Sequence, residues 1–99
     1  MAPEPIEIHG DALAELKSAL GWYLERSESA ADGFLAETDR AIGLIAGAPA
    51  RWPTGELGAR KFALARFPYP VIYREKLMTV QILAFAHGHR RPRYWEDRL

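Results

Sequence analysis

The sequence predicts an α+β domain: a helical hairpin packed on one face of a small, mainly antiparallel β-sheet. Three observations carry this reading. Apolar residues recur at three- and four-residue spacing up to about Ala46, the period changes to two after Arg60, and a stretch rich in proline and glycine divides the two regimes. The chain of 99 residues reads as one domain, residues 1–99, ending in a short basic and aromatic tail.

In chain order, Ile6 to Ile8 is a short opening strand, and Asp11 is placed to cap a helix that runs to about Arg26. Its apolar stripe is Leu13, Leu16, Leu20, Tyr23 and Leu24. Ser27 or Ser29 punctuates, and a second helix follows from about Ala30 to Ala46 with Ala31, Phe34, Leu35, Ala41, Ile42 and Ile45 on one side. Gly47 stands just past its last turn and Pro49 prevents continuation. Helices joined so closely are expected to pack antiparallel. Gly33 and Gly43 inside the second helix either admit a closely approaching backbone or are simply tolerated. Ala48 to Ala59 is a loop anchored by Trp52.

From Arg60, Phe62 and Leu64 alternate with Lys61, Ala63 and Ala65 as a strand. Phe67 to Pro70 is a junction, because proline lacks the donor that a ladder needs. Val71, Ile72 and Tyr73 form the next strand, Glu75-Lys76-Leu77 a tight connection, and Met78 to Ala86 a longer strand. Strict alternation there puts Val80, Ile82, Ala84 and Ala86 on one face and Leu83 and Phe85 on the other. One face is expected to meet the hairpin, and the other to be left uncovered for a partner. Leu16, Leu20, Phe34, Ile42, Val71 and Ile82 are the predicted core.

Hydrophobic and charged fractions of 48% and 26% are those of a globular chain. No cysteine is present, which removes disulfides and thiolate chemistry and suits a reducing compartment. No apolar run is long enough for a membrane span, and Met1 to Gly10 lacks a signal-peptide layout, so a cytoplasmic chain is expected. The net charge of zero is uneven: residues 1–59 hold four basic and ten acidic groups, residues 60–99 nine basic and three acidic. Either the halves neutralise each other within one fold, or a basic face meets an acidic partner or polyanion.

The segment His87 to Arg98 is the densest in chemistry. Its interleaved arginines and aromatics suit phosphate contact with base stacking, or carboxylates and apolar anchors on a peptide, and equally a solvated surface. His87 closes the last strand, where an imidazole either acts as acid or base or bonds the turn that follows. The pair His87 and His89 has no further ligand nearby, so no metal and no cofactor is expected. There is no Ser-His-Asp set, phosphate-cradling glycine loop or EF-hand pattern.

Taken with the order of elements, three runs resemble the RelE/ParE superfamily of toxins from type II toxin–antitoxin systems. They are P-x-R-W-P from Pro49 to Pro53, RFPYPVIYR from Arg66 to Arg74, and ILAFAHGHRRPRYW from Ile82 to Trp95. The resemblance implies a growth-inhibitory toxin neutralised by a cognate antitoxin, ParD-like or RelB-like, in a hetero-oligomer. The ParE-like branch implies poisoning of DNA gyrase without an enzymatic activity of the toxin's own. The RelE-like branch implies a ribosome-dependent mRNA endonuclease. For that chemistry the candidates are Lys61, His87, Arg91 and Tyr94, but Pro70 stands where those nucleases place an arginine. The gyrase reading is therefore favoured, with Arg90, Arg91, Arg93, Tyr94 and Trp95 as target contacts and Leu83, Phe85 and Arg74 as antitoxin contacts. A degenerate toxin acting only as an interaction module is the third alternative.

Overall fold

The computed structural model describes residues 2–87 and 90–99. Strand β1 (Ile6–Ile8) leads into helix α1 (Gly10–Leu24), helix α2 (Glu28–Gly47), then strands β2 (Arg60–Phe62), β3 (Val71–Lys76) and β4 (Thr79–Phe85). Single 3₁₀ turns lie at Pro49–Arg51, Glu56–Gly58 and Glu96–Arg98. The two helices form a hairpin on one face of a four-stranded mixed sheet, ordered β1-β4-β3-β2. β1 runs parallel to β4, and the other pairs are antiparallel.

The cap of α1 is His9, whose Nδ1 accepts from the Asp11 N–H at 3.1 Å, and not Asp11. Asp11 falls in the first turn instead, where its carboxylate meets the positive end of the helix dipole. The buried face also differs by one position from the leucine stripe. Ala12 and Ala19 are buried and Leu16, Leu20 and Tyr23 half-buried, whereas Leu13 and Leu24 are exposed. The two alanines sit at the centre of the contact with the sheet, and Leu16, Leu20 and Tyr23 pack around them.

Ser27 caps α2 through an Oγ that accepts from the Ala30 N–H at 3.2 Å. Phe34, Ala41 and Ile45 are buried, Ile42 is half-buried and Leu35 exposed. Gly47 belongs to the last turn, and the exit is made at Ala48 (φ −155°) without a left-handed residue. Gly43 has no atom near where a Cβ would stand, so no backbone approaches it; Gly33 lies under Arg66 and Phe67 at ordinary contact distance. Of the predicted core, Phe34, Val71 and Ile82 are fully buried, while Leu16, Leu20 and Ile42 pack at its edge. Trp52 folds back onto Phe62, with ring centroids 4.8 Å apart, as an anchor should.

The sheet departs from the expected strands in two places. β2 ends at Phe62, yet Leu64 still reaches the core. β3 extends through Lys76, so the turn is Leu77-Met78, both with positive φ (53° and 60°). The larger correction concerns β4. Ile72 pairs with Ala84 but Tyr73 pairs with Ile82, so Leu83 is an unpaired bulge residue. One extra residue reverses the alternation: Leu83 and Ala84 both face outward, and Phe85 returns to the helix side with Val80 and Ile82. Nor is the outer face uncovered. Trp95 lies against Ile72, Leu83 and Ala84, so Leu83 is only 1% exposed, while Phe85, also 1% exposed, is buried on the helix side.

Candidate functional site

Beyond β4 the Ala86 N–H bonds to the Pro70 carbonyl at 2.9 Å, and His87 sets its ring edge-on to Tyr69 at 5.1 Å. The chain then returns over the outer face of the sheet, where burial of Trp95 removes a large apolar ring from water. Between this tail and the segment from Pro53 to Lys61 lies an open groove of about 750 Å³. Ile72, Ala63 and Ala86 contribute apolar surface, Arg60 and Lys61 line one side, and Arg90, Arg91 and Arg93 the other.

The cations are not equivalent. Arg60 donates to the carbonyls of Trp52 and Ala50 and so braces the loop. Arg93, at φ 57°, makes a 2.9 Å ion pair with Glu56, the one carboxylate among the described residues lining the groove, and so straps the two sides together. Arg90 lies 4.5 Å over the Tyr94 ring. Lys61 and Arg91 are exposed and have no ion-pair partner among the described residues.

The tail is held from behind by Glu15, on the buried face of α1. Its carboxylate accepts from the Phe85 N–H (3.0 Å), the Tyr94 hydroxyl (2.7 Å) and both terminal nitrogens of Arg98 (2.9 and 3.1 Å). β1 ends at Ile8 opposite Ile82, so no strand continues alongside β4 at Phe85. Arg98 also donates to the carbonyl of the bulged Leu83 at 2.9 Å, which the ladder leaves unpaired. Burial works against ionisation of Glu15, but Arg98, Tyr94 and the Phe85 N–H outweigh it and hold the carboxyl below its usual range. For Tyr94, burial and then the bond to Glu15 push the phenol up to about 12.

The structure brings the sequence candidates together unevenly. Lys61, His87, Arg91 and Tyr94 all line the groove, as do Arg90, Arg93 and Trp95. Tyr94 and Trp95, however, turn inward and hold the tail in place. Leu83 and Phe85 offer no free side-chain surface, and Arg74 lies outside the groove, donating to Gln81 Oε1 at 2.7 Å. His89 lies outside the described residues, among which no group of three possible metal ligands gathers. Sequence reading missed Glu15 and Arg98. Neither gave a signal in the sequence, since only the fold shows that Glu15 shares the inward face with Ala12 and Ala19.

The fold and sequence agree with known proteins. A family model described as "ParE toxin of type II toxin-antitoxin system, parDE" matches residues 6–92. A solved structure titled "Chromosomal ParDE TA system from P. aeruginosa" superposes with a TM-score of 0.75 at 18% identity, covering 85% of this chain and 95% of that one. No curated protein sequence matches. The chain, with a helical hairpin on a four-stranded sheet and a family match over most of its length, belongs to the ParE toxin family of type II toxin–antitoxin systems.

Proposed function

We propose that the chain inhibits growth by poisoning DNA gyrase through the basic groove, and that a cognate antitoxin neutralises it. The observation that carries this reading is the division of labour in the groove. Lys61 and Arg91 have no ion-pair partner among the described residues and are available to a target, whereas Tyr94, the phenol that lines the groove, is committed to Glu15 and pushed to about 12. A docking surface needs only groups that bind. A nuclease must also move a proton and stabilise a charged transition state, and a phenol locked as a donor to a carboxylate is a poor base. Pro70 at the groove, in place of the arginine that the ribosome-dependent relatives carry, points the same way.

Leu83 and Phe85 are buried in this structure, so we place the antitoxin contact at the groove instead. Apolar Ile72 and Ala86 beneath the unpaired cations suit a segment with alternating acidic and apolar residues, one that orders on binding. Such a segment would neutralise the toxin by occupying the groove.

Purified chain added to gyrase and relaxed plasmid tests the reading. Loss of supercoiling, with SOS induction in cells and relief by Lys61→Ala/Arg91→Ala, is the expected result. Normal supercoiling together with codon-phased mRNA cleavage on primer extension would replace it with the nuclease reading. Unimpaired growth with soluble protein present would favour a plain interaction module.

A further inference from the structure

On the reading of the groove as the target site, we infer that Glu15 is a positioning residue of the toxin. From α1 it holds the C-terminal segment, through Tyr94 and Arg98, as the side of the groove that carries Arg90 and Arg91.

The backbone of that segment gives it no fixed place. Among the described residues, every backbone hydrogen bond donated from Arg90 onward is local: Arg90 to His87, Tyr94 to Arg91, Glu96 to Arg93, Arg98 to Trp95 and Leu99 to Glu96. None reaches the sheet or a helix, so side chains decide where the segment lies. Trp95 supplies burial, which is non-directional. Arg93 reaches Glu56, in a pair with both side chains largely exposed. Glu15 is different in kind. Its side chain and that of Arg98 are 14% and 12% exposed, and bidentate contact between them fixes orientation as well as distance. Three tail residues converge on this one carboxylate, because Arg90 also approaches it at 3.5 Å.

The link to the groove is short. Arg90 stacks on the ring that Glu15 holds by its hydroxyl, and the Tyr94 N–H bonds to the Arg91 carbonyl at 3.3 Å. Moving Tyr94 therefore moves the turn that bears both arginines. Glu15 does not line the groove, so its influence there passes through the tail.

The test compares Glu15→Gln, which keeps size and removes charge, with Arg98→Gln, which releases the same latch without touching α1. We expect native-state trypsin to cut after Arg90 and Arg93 at least tenfold faster in both variants, with cleavage after Lys17 unchanged. The inducer dose for half-maximal growth arrest should rise at least tenfold. Adding Glu15→Gln to Arg91→Ala should raise it no further, because both changes disable one element. Wild-type protection of the tail in both variants would overturn the inference, as would a loosened tail with undiminished arrest, or losses that add to those of Arg91→Ala. If Glu15→Gln cuts everywhere, Arg98→Gln decides on the same criteria. A wild-type chain that fails to arrest growth sinks the toxin reading and the inference with it. A wild-type chain that arrests growth but spares purified gyrase sinks only the choice of target.

Discussion

Replacing Phe34 with alanine tests the joint between hairpin and sheet. Phe34 is fully buried, and its ring lies 5.2 Å from Tyr23, 5.3 Å from Phe67 and 5.7 Å from Tyr69. Deleting a buried phenylalanine ring costs about 3–5 kcal/mol, the lost transfer energy plus the cavity left behind. The three neighbouring rings are only half-buried and have room to lean inward, which places the expected loss near the lower end, about 3 kcal/mol. Small domains have only about 5–15 kcal/mol to lose. At about 4–8 °C per kcal/mol, the melting temperature should fall by roughly 12–24 °C. Urea unfolding followed by far-UV circular dichroism measures this directly, and an unchanged m-value would show that the variant still unfolds from a compact state. Phe34→Leu, which keeps most of the volume, should cost much less. A loss below about 1 kcal/mol would refute the reasoning, because no buried ring of this size is removed so cheaply without an alternative packing.

Three further predictions concern the latch and the β3–β4 turn. The Glu15 carboxyl is held below its unfolded value of 4.5, so its contribution to stability is present above that pH and is lost as pH falls through the lowered value. The acid limb of the melting-temperature profile should therefore flatten in Glu15→Gln, and an unchanged limb would contradict the assignment. Tyr94 has the opposite sign. With its phenol raised from 10.0 to about 12, its contribution is complete below pH 10 and is lost as pH rises toward about 12. Tyr94→Phe should accordingly remove a late-titrating component from the tyrosinate absorbance curve. At the turn, Leu77 and Met78 both have positive φ, the geometry of a type I′ hairpin that favours Asn-Gly, and they are 90% and 75% exposed. Leu77→Asn/Met78→Gly should raise stability by about 1–2 kcal/mol in urea unfolding, since each L-residue with a larger side chain is strained there. Destabilisation would mean that the two side chains have a role in the isolated chain.

Part of the candidate site was legible because it is contiguous. Arg90, Arg91, Arg93, Tyr94 and Trp95 lie within six positions of one another, and the same segment lines the groove. Their division into binding groups and anchors was not legible, since it turns on a carboxylate 79 residues from Tyr94 and 83 from Arg98. Glu15 was not singled out in the sequence, and only its partners show that it faces inward. The charge asymmetry between the halves admitted two readings, and both hold in different places. Glu15, Glu37 and Glu56 neutralise Arg98, Arg66 and Arg93 across the fold, while Lys61 and Arg91 have no ion-pair partner among the described residues.

What the sequence determined by itself was the kind and order of the elements, because helical and strand periods, caps and prolines act over a few residues. The hairpin, the sheet that follows it and the basic aromatic ending all lie where those local signals put them. Which way each element faces was decided only by tertiary structure. Alternation assigned Phe85 to the outer face, yet the pairing of β3 with β4 admits one extra residue at Leu83 and turns Phe85 inward. The leucines of α1 promised a contact stripe, yet Ala12 and Ala19 join Leu16, Leu20 and Tyr23 in the contact while Leu13 and Leu24 are left exposed. The outer face that seemed to await a partner is closed by Trp95 and held closed through Glu15. Such outcomes depend on which surfaces meet across a gap of many residues, where burial and hydrogen-bond satisfaction outweigh the short-range preferences that a periodic pattern records.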